Sequence, residues 1–354
     1  MSSTNNIRVS SFEALPSPRE IRAELPVSAA SSAFVASARA EIDAILRGED
    51  PRLLVVVGPC SVHDTRAALD YAKRLAVTAE KHRDELLIVM RVYFEKPRST
   101  GGWKGLINDP FLDGSHRVPE GIRMARKLLL DITELGLPVG CEFLEPTSPQ
   151  YIADVVSWGA IGARTTESQI HRQLASGLSM PIGFKNASDG DVQVAIDGCT
   201  VAQRGQVFFG MDDEGRASLV TTTGNPTPHV ILRGGRDAPN FDSASIFGAS
   251  ALLANATVTP RLVIDASHAN SGKDHVRQGE VVRLIAKQIE NGDPIAGVMM
   301  ESFLVPGAQK LDAANPANLV YGQSITDACL GWDDTEELLG ELAASVSATM
   351  LATV

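Results

Sequence analysis

The sequence predicts an α/β protein built as a closed (β/α)8 TIM-type barrel, with an N-terminal extension and an inserted β-hairpin. Three observations predict it. Apolar runs of strand length recur along the chain, most of them continuous rather than alternating, as parallel strands covered on both faces require. Segments of helical periodicity separate the runs. About eight such alternations over roughly 300 residues suit a closed barrel better than an open sheet.

The strand candidates begin with Leu53–Cys60, Leu86–Phe94, Pro138–Leu144, Ala160–Arg164 and Pro181–Lys185. They continue with Gln206–Phe209, His229–Arg233, Arg261–His268 and Gly297–Phe303. Helical patterns between them include Thr65–Arg83, Gly121–Leu135, Pro149–Trp158 and Gln278–Glu290. Two regions fall outside the repeat. Residues 1–50 form an N-terminal extension in which a helix-like stretch, Ser28 to Arg47, stops at Gly48. Residues 51–354 form the barrel, and within it about 206–223 read as a hairpin turning on the Asp- and Gly-rich Met211–Gly215. Such additions serve assembly or regulation, or simply cover the barrel. A last helix is expected over Thr335 to Leu351, capped by Asp333–Asp334.

Composition narrows the function. The chain has 354 residues, 44% of them apolar and 21% charged, which suits a large buried core. Its formal charge of -11 argues against a nucleic-acid partner, although local cations can still reverse the potential within one cleft. No stretch approaches the roughly 18 apolar residues of a membrane span, and Met1 to Ser11 has no signal-like apolar run. Cys60, Cys141, Cys199 and Cys329 are widely spaced, as reduced thiols or metal ligands are. A cytoplasmic protein without membrane attachment is the expectation.

The informative pattern is what closes the strands. Cys60, Arg91, Glu142, Arg164, Lys185, Arg233, His268 and Glu301 stand at or near successive strand ends, which a barrel gathers on its C-terminal rim. Unpaired charge at such half-buried positions is costly, so the set implies a ligand. Cys60, His268 and Glu301, with Asp327 in the loop Gly322–Asp327, offer mixed thiolate, imidazole and carboxylate donors. One divalent transition ion, such as Mn, Fe, Co, Zn or Cu, suits them. Taken alone, Cys60 reads as a small buried residue; its place after a Gly-Pro bend favours a ligand. A second group is cationic: Arg91, Lys96, Arg98, Arg164, Lys185 and Arg233. Guanidinium forks and ammonium groups bind phosphate and carboxylate, so a ligand with several negative charges is expected. No Gly-x-Gly-x-x-Gly motif or P-loop indicates a nucleotide.

Several strings then carry a family resemblance. Val57-Gly-Pro-Cys-Ser-Val-His-Asp64, Arg91-Val-Tyr-Phe-Glu-Lys-Pro-Arg98 and Gly102-Trp-Lys-Gly-Leu-Ile-Asn-Asp-Pro110 resemble type I 3-deoxy-D-arabino-heptulosonate 7-phosphate (DAHP) synthases. So do Trp158-Gly-Ala-Ile-Gly-Ala-Arg-Thr-Thr-Glu-Ser168, Gly183-Phe-Lys-Asn186, Ile231-Leu-Arg-Gly-Gly235, Ile264-Asp-Ala-Ser-His-Ala-Asn-Ser271 and Tyr321-Gly-Gln-Ser-Ile-Thr-Asp327. The match runs from about residue 50 to 345 in the family's order.

The resemblance implies a metal-dependent, aldol-like condensation of phosphoenolpyruvate with erythrose 4-phosphate, the first step of the shikimate pathway. It assigns Cys60, His268, Glu301 and Asp327 to the metal. Arg91, Lys96, Arg164, Lys185 and Arg233 go to phosphoenolpyruvate, and Lys96-Pro97-Arg98-Ser99 to erythrose 4-phosphate, which Asp327 also borders. Lys96, Glu142 and His268 are the candidates for proton transfer, with no choice among them. Ser99 replaces the threonine of many members and keeps the hydroxyl; Gly101, Ala187 and Ser188 also depart from the pattern. Family members are inhibited by an aromatic amino acid, and Pro149, Gln150, Leu178, Ser179 and Gly210 match the effector positions. Glycine at 210 leaves room for a tyrosine hydroxyl, so tyrosine is the expected inhibitor. A homodimer or homotetramer is implied, assembled through the extension and hairpin. Two rivals are a sister enzyme acting on arabinose 5-phosphate and a non-catalytic effector-binding subunit; the first lacks the extension and hairpin, the second lacks the complete ligand set.

Overall fold

The computed structural model describes residues 4–98, 100–312 and 315–352. Eight parallel strands close into a barrel: β1 (Leu53–Gly58), β2 (Leu86–Arg91), β3 (Val139–Glu142), β4 (Trp158–Ile161), β5 (Ile182–Lys185), β8 (Pro228–Leu232), β9 (Leu262–Asp265) and β10 (Ile295–Glu301). The inserted β6 (Val207–Met211) and β7 (Ala217–Thr221) pair antiparallel outside it, as the Asp-Gly turn predicts. β1 pairs with both β2 and β10, which completes the ring. Every residue of the eight barrel strands is buried. That explains why their sequences do not alternate.

Helices cover the ring: α3 (Thr65–Lys81), α4 (Val118–Glu134), α6 (Gln169–Gly177), α7 (Gln193–Ala202), α8 (Ser243–Asn255), α9 (His275–Glu290) and α10 (Trp332–Ala352). Before the barrel come α1 (Pro18–Glu24) and α2 (Ala29–Arg47). Ser28 caps α2 by accepting from Ser31 N, and Gly48 ends it at φ 77°, a conformation that costs glycine nothing. Ile42, Ile45 and Leu46 of α2 pack with Leu54, Val56, Leu87 and Val263 from the barrel interior. Arg261 locks the contact by donating to Ile45 O at 2.7 Å and Ile295 O at 3.0 Å. The extension therefore plugs the N-terminal mouth and leaves the other end open.

Three expectations need correction. The helix predicted over Pro149–Trp158 is only α5 (Pro149–Ile152) and a 3-10 turn, Ala153–Val155. Beyond it Ser157 N donates to Val139 O at 2.9 Å, so the chain has already joined the sheet. The run Ala160–Arg164 starts earlier and stops at Ile161, because Thr165 and Thr166 turn back to bond Gly162 O. The last helix begins at Trp332, which puts Asp333 and Asp334 in its first turn rather than at the cap. There they face the positive end of the helix dipole. A short parallel pair, β11 (Val305–Ala308) with β12 (Gln323–Ser324), was not anticipated.

Candidate active site

The open C-terminal end of the barrel holds a cavity of about 670 Å³. Lys96, Arg98, Glu142, Arg164, Lys185, Arg233, His268 and Asp327 line it, and so do Arg236 and Lys273, which the sequence reading did not single out. Ser99 lies outside the described residues. The residues arrive by different routes. Arg91, Glu142, Lys185 and Glu301 end their strands, whereas Cys60, Arg164, Arg233, His268 and Asp327 sit on the loops beyond.

Donor atoms of Cys60, Glu301 and Asp327 lie within 4.8 Å of one another. His268 turns Nε2 toward Glu301 Oε1 at 3.7 Å. Its Nδ1 is held by Asp265 Oδ2 at 2.9 Å and Ser267 Oγ at 2.7 Å. A carboxylate behind an imidazole is the usual device for aiming a histidine at a metal. His268 adopts φ 54°, a left-handed conformation uncommon for this residue, where the chain leaves β9. Lys96 Nζ donates to Cys60 Sγ at 3.0 Å. Burial, followed by the Glu301 carboxylate, pushes the Cys60 thiol up. Soft, borderline and hard donors gathered in this way fit a divalent transition ion.

The cations divide by depth. Arg91 is 1% exposed and lies under the cavity, where it donates to Glu301 Oε1 at 2.9 Å, Pro59 O and Cys60 O. Its guanidinium stacks on the Tyr93 ring at 3.6 Å, so it balances the carboxylate from below. Lys185 is also buried and pairs with Asp265 Oδ2 at 2.8 Å. Asp265 is completely buried, yet it is held well below the usual carboxylate range: burial opposes ionisation, and His268 and Lys185 outweigh it. It was missed as a site residue. The available signal was an acid closing the apolar run Leu262-Val-Ile-Asp265. Arg233 keeps Nε buried and, among the described residues, without a partner, and burial and Arg164 together lower its affinity for a proton despite Asp265. An arginine in that condition is prepared for an anion. Glu142 lies over Gly162, where any Cβ would overlap its Oε1.

A second cavity of about 570 Å³ lies away from this rim, between α5, the end of α6 and the hairpin. Gln150, Ser179 and Gly210 all line it, with Phe208, Leu178 and Val220.

Comparison with known proteins agrees with this architecture. The model of the DAHP synthetase I family matches residues 25–340. A phospho-2-dehydro-3-deoxyheptonate aldolase of Corynebacterium glutamicum is 58% identical over 350 residues, covering 97% of this chain and 95% of that one. A Trp-sensitive phospho-2-dehydro-3-deoxyheptonate aldolase of Escherichia coli K12 is 49% identical, covering 98% and 99%. The solved phospho-2-dehydro-3-deoxyheptonate aldolase of Francisella tularensis superposes with a TM-score of 0.94 at 46% identity, covering 96% of this chain and 99% of that one. With its closed barrel, its rim of cations and a full-length match to these relatives, the chain belongs to the DAHP synthetase I family.

Proposed function

We propose that this chain condenses phosphoenolpyruvate with erythrose 4-phosphate in the rim cavity, giving DAHP and phosphate at the first step of the shikimate pathway. The observation that carries the reading is the juxtaposition of a cysteine–carboxylate donor cluster with cations around one cavity. Arg164, Lys185 and Arg233 suit the phosphate and carboxylate of phosphoenolpyruvate. Lys96 and Arg98 suit the sugar phosphate, and Ser99, next in sequence, is the residue expected to join them. Holding two anions together offsets their repulsion and aligns C3 of one with the aldehyde carbon of the other. Bond formation leaves positive charge at C2, water adds there, and phosphate leaves as the hemiketal collapses. Glu142 and Lys96 both face the cavity and can relay the protons. A divalent ion held by Cys60, His268, Glu301 and Asp327 would supply Lewis-acid polarisation of the aldehyde oxygen. Mn suits the two carboxylates, and the thiolate keeps Fe, Co, Zn and Cu in play.

The test is loss of phosphoenolpyruvate absorbance with erythrose 4-phosphate, using metal-loaded, chelator-treated and Mn-restored protein. Turnover lost on chelation and regained with Mn is expected. Turnover only with arabinose 5-phosphate would overturn the assignment.

The second cavity suits an aromatic amino-acid inhibitor, and tyrosine is favoured because Gly210 puts no side chain between Phe208 and Val220; a Cβ there would stand 2.5 Å from Val220 Cγ2. Relatives named Trp-sensitive make tryptophan the competing reading. Titrating all three aromatic amino acids decides, and inhibition by tryptophan or phenylalanine alone would remove tyrosine. Assembly through the hairpin is supported by its exposed apolar side chains: Val207 and the 95%-exposed Phe209 alternate along β6, and Leu219 of β7 pairs opposite Phe209. A homodimer or homotetramer that Phe209→Asp dissociates in light scattering is expected. No helix among the described residues is long and apolar enough to cross a membrane.

A further inference from the structure

Glu95 is a carboxylate that the chemistry above does not use. It is 2% exposed and immediately precedes Lys96 on the loop after β2. Among the described residues no cation pairs with it. Its partners are donors from the next loop: Ser148 Oγ at 2.9 Å, Glu145 N at 3.1 Å and Leu144 N at 3.5 Å. A buried carboxylate held only by neutral donors is expensive, and an apolar residue would fill the space more cheaply.

The contacts continue beyond it. Leu144 O meets His171 Nε2 at 2.7 Å, and His171 Nδ1 meets Ser168 Oγ at 2.9 Å. A carbonyl only accepts, so Nε2 carries the proton and Nδ1 accepts from the serine hydroxyl. The chain of bonds crosses three consecutive βα loops: the first carries Lys96, the second follows directly on Glu142 at the end of β3, and the third carries Arg164.

We propose that Glu95 and His171 are positioning residues: they lace the loops after β2, β3 and β4 into one belt that sets Lys96, Glu142 and Arg164 relative to one another. The inference rests on the rim cavity being the reaction site. Hydrogen bonding within the belt is strongest with Glu95 ionised, because every group it meets is a donor. Burial, with some repulsion from Glu145, raises Glu95 to about 7. The titratable groups around it are Glu145, whose backbone N–H it binds, Cys141, and His171 across the shared Leu144.

The experiment compares wild type, Glu95→Gln, His171→Leu and His171→Gln as metal-loaded protein, measuring KM for each substrate, kcat and the melting temperature from pH 5.5 to 8. Glu95→Gln is expected to lower kcat/KM about tenfold or more. The larger KM rise should fall on the four-carbon sugar, since the Lys96 loop is the first link. Wild-type kcat/KM should climb through about pH 7, and the variant should lack that limb. His171→Leu should show a similar defect, and His171→Gln, whose amide N–H can still reach Leu144 O, should recover most of it. Variants that keep wild-type kcat/KM, or that lose only melting temperature, would overturn the proposal. Should Glu95→Gln not fold, the two His171 variants carry the test. No turnover by wild type would instead refute the site reading.

Discussion

Replacing Asp265 by asparagine removes one negative charge from the centre of the rim. The carboxylate is fully buried, accepts three hydrogen bonds, from Ser267 N at 3.0 Å, Ser267 Oγ at 2.6 Å and Lys185 Nζ at 2.8 Å, and pairs with His268 Nδ1 at 2.9 Å. An amide has a single accepting oxygen with two lone pairs, so it cannot meet all of these groups, and its NH2 must oppose a donor. Lys185 is then left as a buried charge without its counterion. Breaking one side of a buried ion pair costs about 3–5 kcal/mol, so the midpoint of urea unfolding should fall by that much stability. His268 loses the group that orients it, and loss of such outer support weakens metal affinity about 10–100-fold. Metal-free protein in a denaturant titration isolates the first effect, and Mn binding by calorimetry isolates the second. Unchanged stability together with unchanged Mn affinity would refute the assignment of Asp265 as the anchor of both groups.

Other predictions concern separate parts of the molecule. His229 is buried and accepts from Trp158 Nε1 at 3.1 Å; burial lowers its pKa to about 4. The unfolded chain takes up that proton near 6.5, so stability should fall as pH drops through 6.5 and level off below 4, by about 3 kcal/mol in all. Denaturant midpoints of wild type and His229→Gln across pH 4–8 should differ by this slope, and parallel curves would exclude it. Gly162→Ala should displace Glu142 and lower kcat/KM about tenfold or more with little change in melting temperature; kinetics matching wild type would show that Glu142 need not stay where it is. Ile45→Ala hollows the plug at the barrel's N-terminal mouth and should cost about 2–5 kcal/mol by urea unfolding, and a loss below 1 kcal/mol would mean that α2 is peripheral.

How far the sequence could be read depended on range. Periodicity is local, so the order of strands and helices and the hairpin were legible from Leu53 to Glu301 without knowledge of contacts. Ser28 and Gly48 announced both ends of α2 because capping is settled within a turn. The cations and donors at strand ends were legible because the barrel gathers those ends by construction, and the quoted strings identified the family. Where tertiary contacts overrode local preference, reading failed: Pro149–Trp158 has helical spacing, yet Ser157 is already bonded to β3.

By itself, then, the sequence determined the barrel and the family, and showed the cations and metal-type donors that stand at or just beyond the strand ends. Which partners each of these residues has was decided in three dimensions. Arg91 and Arg233 look alike as arginines near strand ends, but one pairs with Glu301 and stacks on Tyr93 while the other keeps a buried Nε without a partner among the described residues. Asp265 and Glu95 read as ordinary acids in or beside apolar runs; only packing shows that one holds Lys185 and His268 and the other laces two loops. The physical reason is that charge and hydrogen-bonding capacity belong to a residue, whereas the partners and dielectric that set their effect come from segments tens to hundreds of residues away.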